Sequence, residues 1–190
     1  MNKRHFIVLA TSLALTIPSL STVQAAGSET AITPEVNPPG DIPDSQVFIR
    51  FASPDGFSFQ VPEGWARSDA AHQSTFNDKY NRIVISTSDW TKPLDLAVAK
   101  DTLAPAIEKA GRAVKILKIV PVKLKSSNAI RIIYESNSEP NAVTNKQVRE
   151  ENETFYYAGK GKLVRLDLSA PKGADNVDQW KLISSSLKWK

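Results

Sequence analysis

The sequence predicts an α+β fold, in which a mainly antiparallel sheet is flanked by helices. Short segments of alternating apolar and polar residues are separated by tight turns, which is typical of hairpin-linked strands. Two segments have helical spacing instead. One interrupts the run of strands, and the other follows the last strand. Strands grouped apart from helices favour α+β over a parallel nucleotide-binding sheet. The expected arrangement is an α/β/α sandwich.

A hairpin opens the predicted domain. Residues 47–51 and 57–61 predict its two strands, and Pro54-Asp55-Gly56 between them is a turn sequence. Phe57, Phe59 and Val61 alternate, so we expect all three to face the core. Residues 74–77 and 82–88 predict two further strands, because they are rich in β-branched or alternating residues.

The first predicted helix follows these strands. Thr91 is expected to cap it, with Pro93 in its first turn. Pro105 predicts an interruption or kink, because proline lacks the amide donor that a helix needs. Gly111 predicts the end of the helix.

Hairpin-linked strands return after Gly111. They are predicted at residues 114–124, 129–136, 147–158 and 163–169. In the first of these, apolar residues occupy even positions from Val114 to Leu124, and Pro121 indicates a bulge or a sheet edge. A final helix is expected to begin at Asp175 or Asn176. Its predicted apolar stripe consists of Val177, Trp180, Ile183 and Leu187.

The N-terminus has the pattern of a secretory signal peptide. Lys3 and Arg4 precede an apolar stretch that runs to Leu20, and small residues near Ala25 suit a signal peptidase. The stretch is shorter than the roughly 20 residues of a spanning helix. We therefore expect a signal peptide at residues 1–25, a disordered proline-rich linker at 26–45 and one domain at 46–190. The mature protein is expected in the periplasm or secreted, with no transmembrane segment.

Charge and cysteine content exclude several classes of function. The chain has 24 Lys plus Arg and 20 Asp plus Glu, and loss of Lys3 and Arg4 would leave a net charge of only +2. A nucleic-acid-binding protein normally shows a stronger and more clustered basic excess. With no cysteine, thiol catalysis, thiolate metal sites and a lipid-bearing cysteine are all excluded. No cofactor is expected.

Several short motifs resemble those of PsbP-like and DcrB-like domains. The segment from Gly56 to Trp65 reads GFSFQVPEGW and is similar to the G-F-x-F-x-x-P-x-x-W opening of that family. Phe76-Asn77-Asp78 with the strand up to Ser88 resembles the next hairpin. LDLSAP at residues 166–171, followed by Trp180, resembles the ending. The resemblance spans roughly residues 47–189.

This resemblance implies an antiparallel sheet flanked by helices, and it implies a binding platform rather than a reaction. Members of the family include an extrinsic subunit of photosystem II, bacterial envelope lipoproteins and a Ran-binding import factor. This sequence lacks the lipid-bearing cysteine of the lipoproteins. It also shows no sign of the histidine-based metal sites described for photosynthetic members.

The candidate catalytic and metal-binding residues are few. His72 is the only histidine beyond the predicted signal peptide. A hydrolase would need it together with a serine such as Ser74 or Ser86 and an acid that the sequence does not identify. The acidic cluster of Glu150, Glu151 and Glu153 is expected to form cross-strand charge pairs rather than a calcium loop. We predict no catalytic and no metal site.

The candidate partner-binding residues are basic and aromatic. Lys115, Lys118, Lys123 and Lys125 predict a basic strip that protects a sheet edge or docks on an acidic partner or anionic envelope surface. Trp90 is a further candidate. We expect a non-enzymatic accessory or protein-binding domain of the cell envelope. Two alternatives remain open: a small-ligand or lipid carrier with a cleft between sheet and helix, and a small hydrolase using His72.

Overall fold

Two antiparallel sheets form the framework of the domain. The computed structural model describes residues 29–124 and 128–190, so the predicted signal peptide and Lys125 lie outside the described residues. The strands are β1 (Phe48–Ala52), β2 (Phe57–Pro62), β3 (Ala66–Ala70), β4 (Gln73–Asn77), β5 (Arg82–Asp89), β6 (Arg112–Lys123), β7 (Asn128–Asn137), β8 (Arg149–Gly159), β9 (Lys162–Pro171) and β10 (Lys188–Trp189). One sheet has the order β1-β2-β10 and the other the order β3-β4-β5-β9-β8-β7-β6. The predicted α+β class is confirmed.

The opening hairpin forms as the alternation predicts. β1 pairs with β2, and Phe57, Phe59 and Val61 are all at most 2% exposed. Gly56 in the connecting turn has φ +89°, a left-handed conformation that glycine adopts without strain. Two strands were not predicted. All five residues of β3 are exposed at a sheet edge, and β10 has only two residues, so neither carries a hydrophobic alternation.

The first helix consists of three consecutive segments. These are α1 (Leu96–Val98), a π-helical stretch (Ala99–Leu103) and α2 (Ala104–Ala110). The prediction that Thr91 caps the helix is wrong: the Asp95 carboxylate accepts from the Val98 amide at 2.9 Å. In the π-helical stretch, the Ala104 amide donates to the Ala99 carbonyl. This wider turn lies directly before Pro105, where an α-helical amide bond is impossible.

The edge strand β6 departs from its predicted alternation. It pairs only with β7, so the indication from Pro121 of an edge or bulge is confirmed. Its register shifts between Ile116 and Lys118, which leaves Leu117 49% exposed. An extra residue in a bulge reverses the two faces of a strand beyond it. The even-numbered residues after the bulge therefore lie on the opposite face from Ile116, and the single apolar face predicted for residues 114–124 does not form.

Two apolar cores lie on opposite faces of the seven-stranded sheet. On one face, the small sheet and α3 (Val177–Ser185) pack over β4, β5, β9 and β8, with Trp180 and Ile183 in the core. On the other face, the first helix packs over β7 and β8 through Leu103 and Ile107. Asn176 is the residue before α3, as predicted, but Val177 is 73% exposed and does not belong to its apolar face. No helix within the described ranges is long and apolar enough to cross a membrane.

Residues 29–45, here called the N-terminal strap, run along the domain as an extended segment. The Ile42 side chain is 3% exposed and belongs to the core, and the Ile42 amide donates to Asn176 Oδ1 at 2.7 Å. The Ile32 amide donates to Asn137 Oδ1 at 3.0 Å. This differs from the predicted disordered linker. The strap is held by one buried isoleucine and by hydrogen bonds to asparagine side chains of the domain. The overall composition of the segment does not reveal either feature.

Candidate functional site

The five residues predicted to bind a partner do not lie on one surface. Lys115 and Lys118 are exposed on the face of β6 that points away from the first helix, whereas Lys123 points to the other face. Lys125 lies outside the described residues. Trp90 packs against the helix-side core, and its buried Nε1 has no hydrogen-bond partner among residues 29–124 and 128–190. The bulge in β6 separates the lysines, so only two of them remain together.

Lys115 and Lys118 are exposed beside partly exposed side chains of β7 and β8 that lie outside both apolar cores. We call this surface the open face, and it is formed by Lys115, Lys118, Arg131, Ile133, Glu135, Glu151 and Glu153. These residues lie side by side on β6, β7 and β8, with Lys118 opposite Ile133 and Ile133 opposite Glu153. None of the seven belongs to either core in the part of the chain that the structure describes.

Ion pairs hold three of the six charged side chains of the open face in place. Arg131 Nη2 donates to Glu153 Oε1 on the neighbouring strand, so the predicted cross-strand charge pairing is confirmed for Glu153, whereas Glu150 and Glu151 have a serine hydroxyl and a backbone amide as partners. Glu135 accepts from Lys172 Nζ at 2.6 Å through one oxygen and from Arg149 Nη2 at 3.4 Å through the other. Burial opposes ionisation of Glu135, but Lys172 and Arg149 outweigh it and lower its pKa. Glu135 is therefore a fixed negative charge.

Glu151 behaves differently, although it lies directly opposite Glu135. Burial raises the pKa of Glu151, and the charges of Glu153 and Glu135 add to this effect, while a hydrogen bond from the Gly173 amide opposes it. Like charges facing each other across a strand pair repel. The higher pKa of Glu151 favours its protonated form, which limits this repulsion as the pH falls.

A polar cavity of about 410 Å³ lies on the helix side of the same sheet. Its floor consists of side chains from β7, β8 and β9, and its walls are the end of α2 and the β4–β5 turn. Glu150 lies at this floor, where burial raises its pKa against the opposing charge of Arg82. The Ser136 hydroxyl is 3.5 Å from Glu150 Oε2 and also accepts from Asn152 Nδ2 at 3.0 Å.

Two ion pairs lie beside this cavity, whose lining also includes Asp78, Lys79 and Arg82. Asp167 accepts from Arg165 Nε at 2.8 Å and from the Thr154 hydroxyl at 2.6 Å. Arg112 pairs with Glu29 of the strap at 2.8 Å. The cavity therefore has a balanced charge and no single strong anion or cation. No group of three histidine or acidic residues that could hold a metal ion occurs within the described ranges.

His72 has an acidic partner that the sequence did not identify. Its Nδ1 lies 3.1 Å from Asp55 Oδ1, in the turn of the β1–β2 hairpin. The Thr87 hydroxyl donates to the other Asp55 oxygen at 2.5 Å, and this bond, with that of His72, lowers the pKa of Asp55. Ser74, a predicted nucleophile, instead donates to Asp69 at 2.6 Å. The structure thus places an acid beside His72, and Ser74 lines the same small cavity but directs its hydroxyl to Asp69 instead of His72.

Comparison with known proteins gives a likeness in structure alone. No family model matches the chain, and no curated protein sequence matches it. The chain is similar to the solution structure of cyanobacterial PsbP (CyanoP) from Synechocystis sp. PCC 6803, with 16% identity, a TM-score of 0.55, and coverage of 80% of this chain and 98% of that chain. The chain has a PsbP-like fold.

A second solved structure supports the same fold. The chain is similar to the Saccharomyces cerevisiae Ran-binding protein Mog1p, with 10% identity and a TM-score of 0.52, over 76% of this chain and 96% of that chain. The likeness to DcrB-like domains remains a prediction. In this PsbP-like domain, the motif from Gly56 to Trp65 forms β2 and its two turns, so its role here is structural.

Proposed function

We propose that this PsbP-like domain is an exported, non-enzymatic accessory domain of the cell envelope, which binds a partner protein through the open face. The observation that carries the proposal is that three neighbouring strands present ordered, partly exposed charges of both signs around Ile133, outside both apolar cores.

The ion pairs of the open face suit recognition. Glu135 and Glu153 are 15% and 14% exposed, and each is held by a basic side chain. Side chains that are already ordered lose little entropy when a partner binds. Both signs of charge occur close together, so a partner with the complementary pattern would be selected over others. The open face contains three basic and three acidic residues, which favours a protein over an anionic envelope surface.

The structural neighbours are consistent with a binding role, since Mog1p is named as a Ran-binding protein. The proposed export depends on the signal-peptide pattern of residues 1–25. The non-enzymatic assignment is supported by the hydrogen bonds of the candidate residues. The Ser74 hydroxyl donates its hydrogen bond to Asp69. Ser74 is therefore not poised to attack a substrate with His72 as its base.

Site-specific photo-crosslinking in the native host tests this proposal. A p-benzoylphenylalanine at position 133 would lie in the middle of the open face. The same residue at position 177, where Val177 is 73% exposed at the start of α3, is the matched control. We expect one dominant protein adduct from position 133 that position 177 does not give. Adducts with lipid alone, or the same adducts from both positions, would contradict a protein partner at the open face.

A further inference from the structure

The seven-stranded sheet forks at one end. The pairing of β7 with β8 stops at Ile130 opposite Tyr156, although β7 begins at Asn128 and β8 continues to Gly159. Each outer pair stays together, because β6 remains paired to Asn128 and β9 remains paired to Gly159. The β6–β7 hairpin therefore separates from the β8–β9 hairpin over the last residues of both.

An apolar groove of about 970 Å³ occupies this fork. Its lining comes from the start of the first helix, the end of β6, the start of β7, the end of β8 and β10. The apolar members of the lining are Leu94, Leu96, Pro121, Val122, Ala129, Ile130, Ala158 and Trp189. A mainly apolar lining with a few polar groups is typical of small-molecule sites, whose volumes are about 300–1,000 Å³.

Two features keep this groove open. Trp189 stands against Phe57 in an edge-to-face contact, with ring centroids 6.3 Å apart. A Cβ atom on Gly159 would come within 2.7 Å of the Trp189 ring, so only glycine lets the indole lie this close to β8. On the opposite side, Leu96 remains 38% exposed instead of closing over the groove. Trp189 thus packs on Phe57 without filling the groove, and the exposed Leu96 leaves the opposite side open.

Two charged residues of the groove, Asp95 and Lys123, differ in whether they have a partner within the protein. Asp95 caps the first helix, since its carboxylate accepts from the Val98 amide at 2.9 Å. Lys123 is exposed and has no ion-pair partner among residues 29–124 and 128–190. An unpaired ammonium next to an apolar groove is complementary to a molecule with one negative end and an apolar body.

We infer that this groove binds a single-chain amphiphile with an anionic head, such as a fatty acid or a lysophospholipid, with the head at Lys123 and the chain between Ile130, Leu96 and Trp189. An extended peptide fits less well, because strand addition needs a longer run of unpaired backbone than the fork exposes. This site is separate from the open face, since Lys123 points to the other side of β6 from Lys115 and Lys118.

Displacement of a fluorescent fatty acid from the purified protein tests the inference. The probe is 11-(dansylamino)undecanoic acid, and the competitors are oleate, lysophosphatidylglycerol, neutral monoolein and a short leucine-rich peptide. We expect saturable binding of the probe and displacement by at least one anionic competitor. Oleate and lysophosphatidylglycerol distinguish a carboxylate head from a phosphate head. Monoolein should displace the probe at least about tenfold less well.

Two variants and one control locate the site. Lys123→Glu should weaken binding of the probe about tenfold or more, and Ala158→Trp should abolish it by filling the groove. Lys118→Glu places the same charge change on the other face of the same strand and should leave binding unchanged. Because Lys123 and Lys118 are both exposed, neither charge change should affect folding.

Several results would overturn the inference. No saturable binding of the probe would exclude the site. Binding that survives both Lys123→Glu and Ala158→Trp would place the amphiphile elsewhere. If Ala158→Trp abolished binding of the probe and Lys123→Glu had no effect on it, recognition of the head by Lys123 would be ruled out. Displacement by the peptide but by neither anionic amphiphile would assign the groove to a peptide.

Discussion

Arg149 and Glu135 form a largely buried ion pair at one end of the open face. Arg149 Nη2 lies 3.4 Å from Glu135 Oε2, and the Arg149 side chain is only 2% exposed. The same guanidinium donates through Nη1 to the Ala113 carbonyl at 2.8 Å and to Asn137 Oδ1 at 3.1 Å. It therefore links β8 to β7 and to the start of β6. The three strands that carry the open face are joined at one side chain.

Replacing Arg149 with methionine should destabilise the protein by about 3 kcal/mol, because removal of one partner leaves a buried charge unpaired. Urea unfolding at neutral pH measures the change. The control is Arg67→Met, since Arg67 pairs with Asp69 at the exposed edge strand β3. The control should cost at most about 1 kcal/mol, because its ion pair is exposed and its guanidinium also lies over the Phe51 ring, 4.8 Å from the centroid. Equal stability of Arg149→Met and the unaltered protein would mean that Arg149 does not hold the strands together.

Replacing Glu150 with glutamine should stabilise the protein near neutral pH. Burial raises the pKa of Glu150 above its ordinary value of 4.5, so the unfolded chain ionises first as the pH rises. Stability is therefore lost between 4.5 and the higher pKa of the folded state. The gain from Glu150→Gln should vanish below pH 4.5, where the carboxyl is protonated in both states. The exposed Glu63→Gln serves as control, and a gain that does not depend on pH would contradict this explanation.

Asp55 should stabilise the protein with a pH dependence opposite to that of Glu150. Its hydrogen bonds from Thr87 and His72 lower its pKa below the ordinary 3.8. The stabilisation is therefore complete above 3.8 and is lost as the pH falls through the lower pKa of the folded state. Asp55→Ala should cost about 1 kcal/mol at neutral pH and much less near pH 2. The measurement is thermal or urea unfolding at both pH values.

The contact between His72 and Asp55 also provides a test of whether His72 has a structural or a catalytic role. The His72 side chain is 65% exposed, so His72→Ala should have a smaller effect on stability than Asp55→Ala. If a hydrolytic activity of the protein were found and His72→Ala abolished it, the non-enzymatic assignment would be wrong.

Gly159 and Trp189 should be energetically coupled. Gly159→Ala places a Cβ within 2.7 Å of the indole ring and should cost about 1–3 kcal/mol by overpacking. In a Trp189→Ala background the same change should cost much less, because the clash is gone. A double-mutant cycle from urea unfolding measures this coupling. Additive effects would show that Gly159 is not required for the position of Trp189.

Local patterns in the sequence predict most of the sheet. Phe57, Phe59 and Val61 alternate along β2 with Ser58 and Gln60, so their common orientation towards the core follows from the pleat. Pro121 correctly indicates an edge, because a central strand needs the amide that proline lacks. The segment from Gly56 to Trp65 resembles the opening motif of PsbP-like domains. It forms β2 and its turns, which agrees with the observed fold.

Features that depend on tertiary contacts were not predictable in this way. The bulge before Lys118 is invisible in the alternation, yet it moves Lys123 to the opposite face from Lys115 and Lys118. The acid beside His72 is Asp55, which lies 17 positions earlier in a turn. Pairing between such distant residues depends on how hairpins pack, and no local periodicity records it.

The central claim is that the open face binds the partner protein, and the affinity of two charge variants for that partner tests it most directly. Lys115 and Lys118 are exposed on the open face, and Lys123 is exposed on the other face of the same strand. Isothermal titration would use the purified protein that is photo-crosslinked from position 133. Lys115→Glu combined with Lys118→Glu should weaken binding about tenfold or more, while Lys123→Glu leaves it unchanged. Unchanged affinity in the double variant, or equal losses in both variants, would contradict the account.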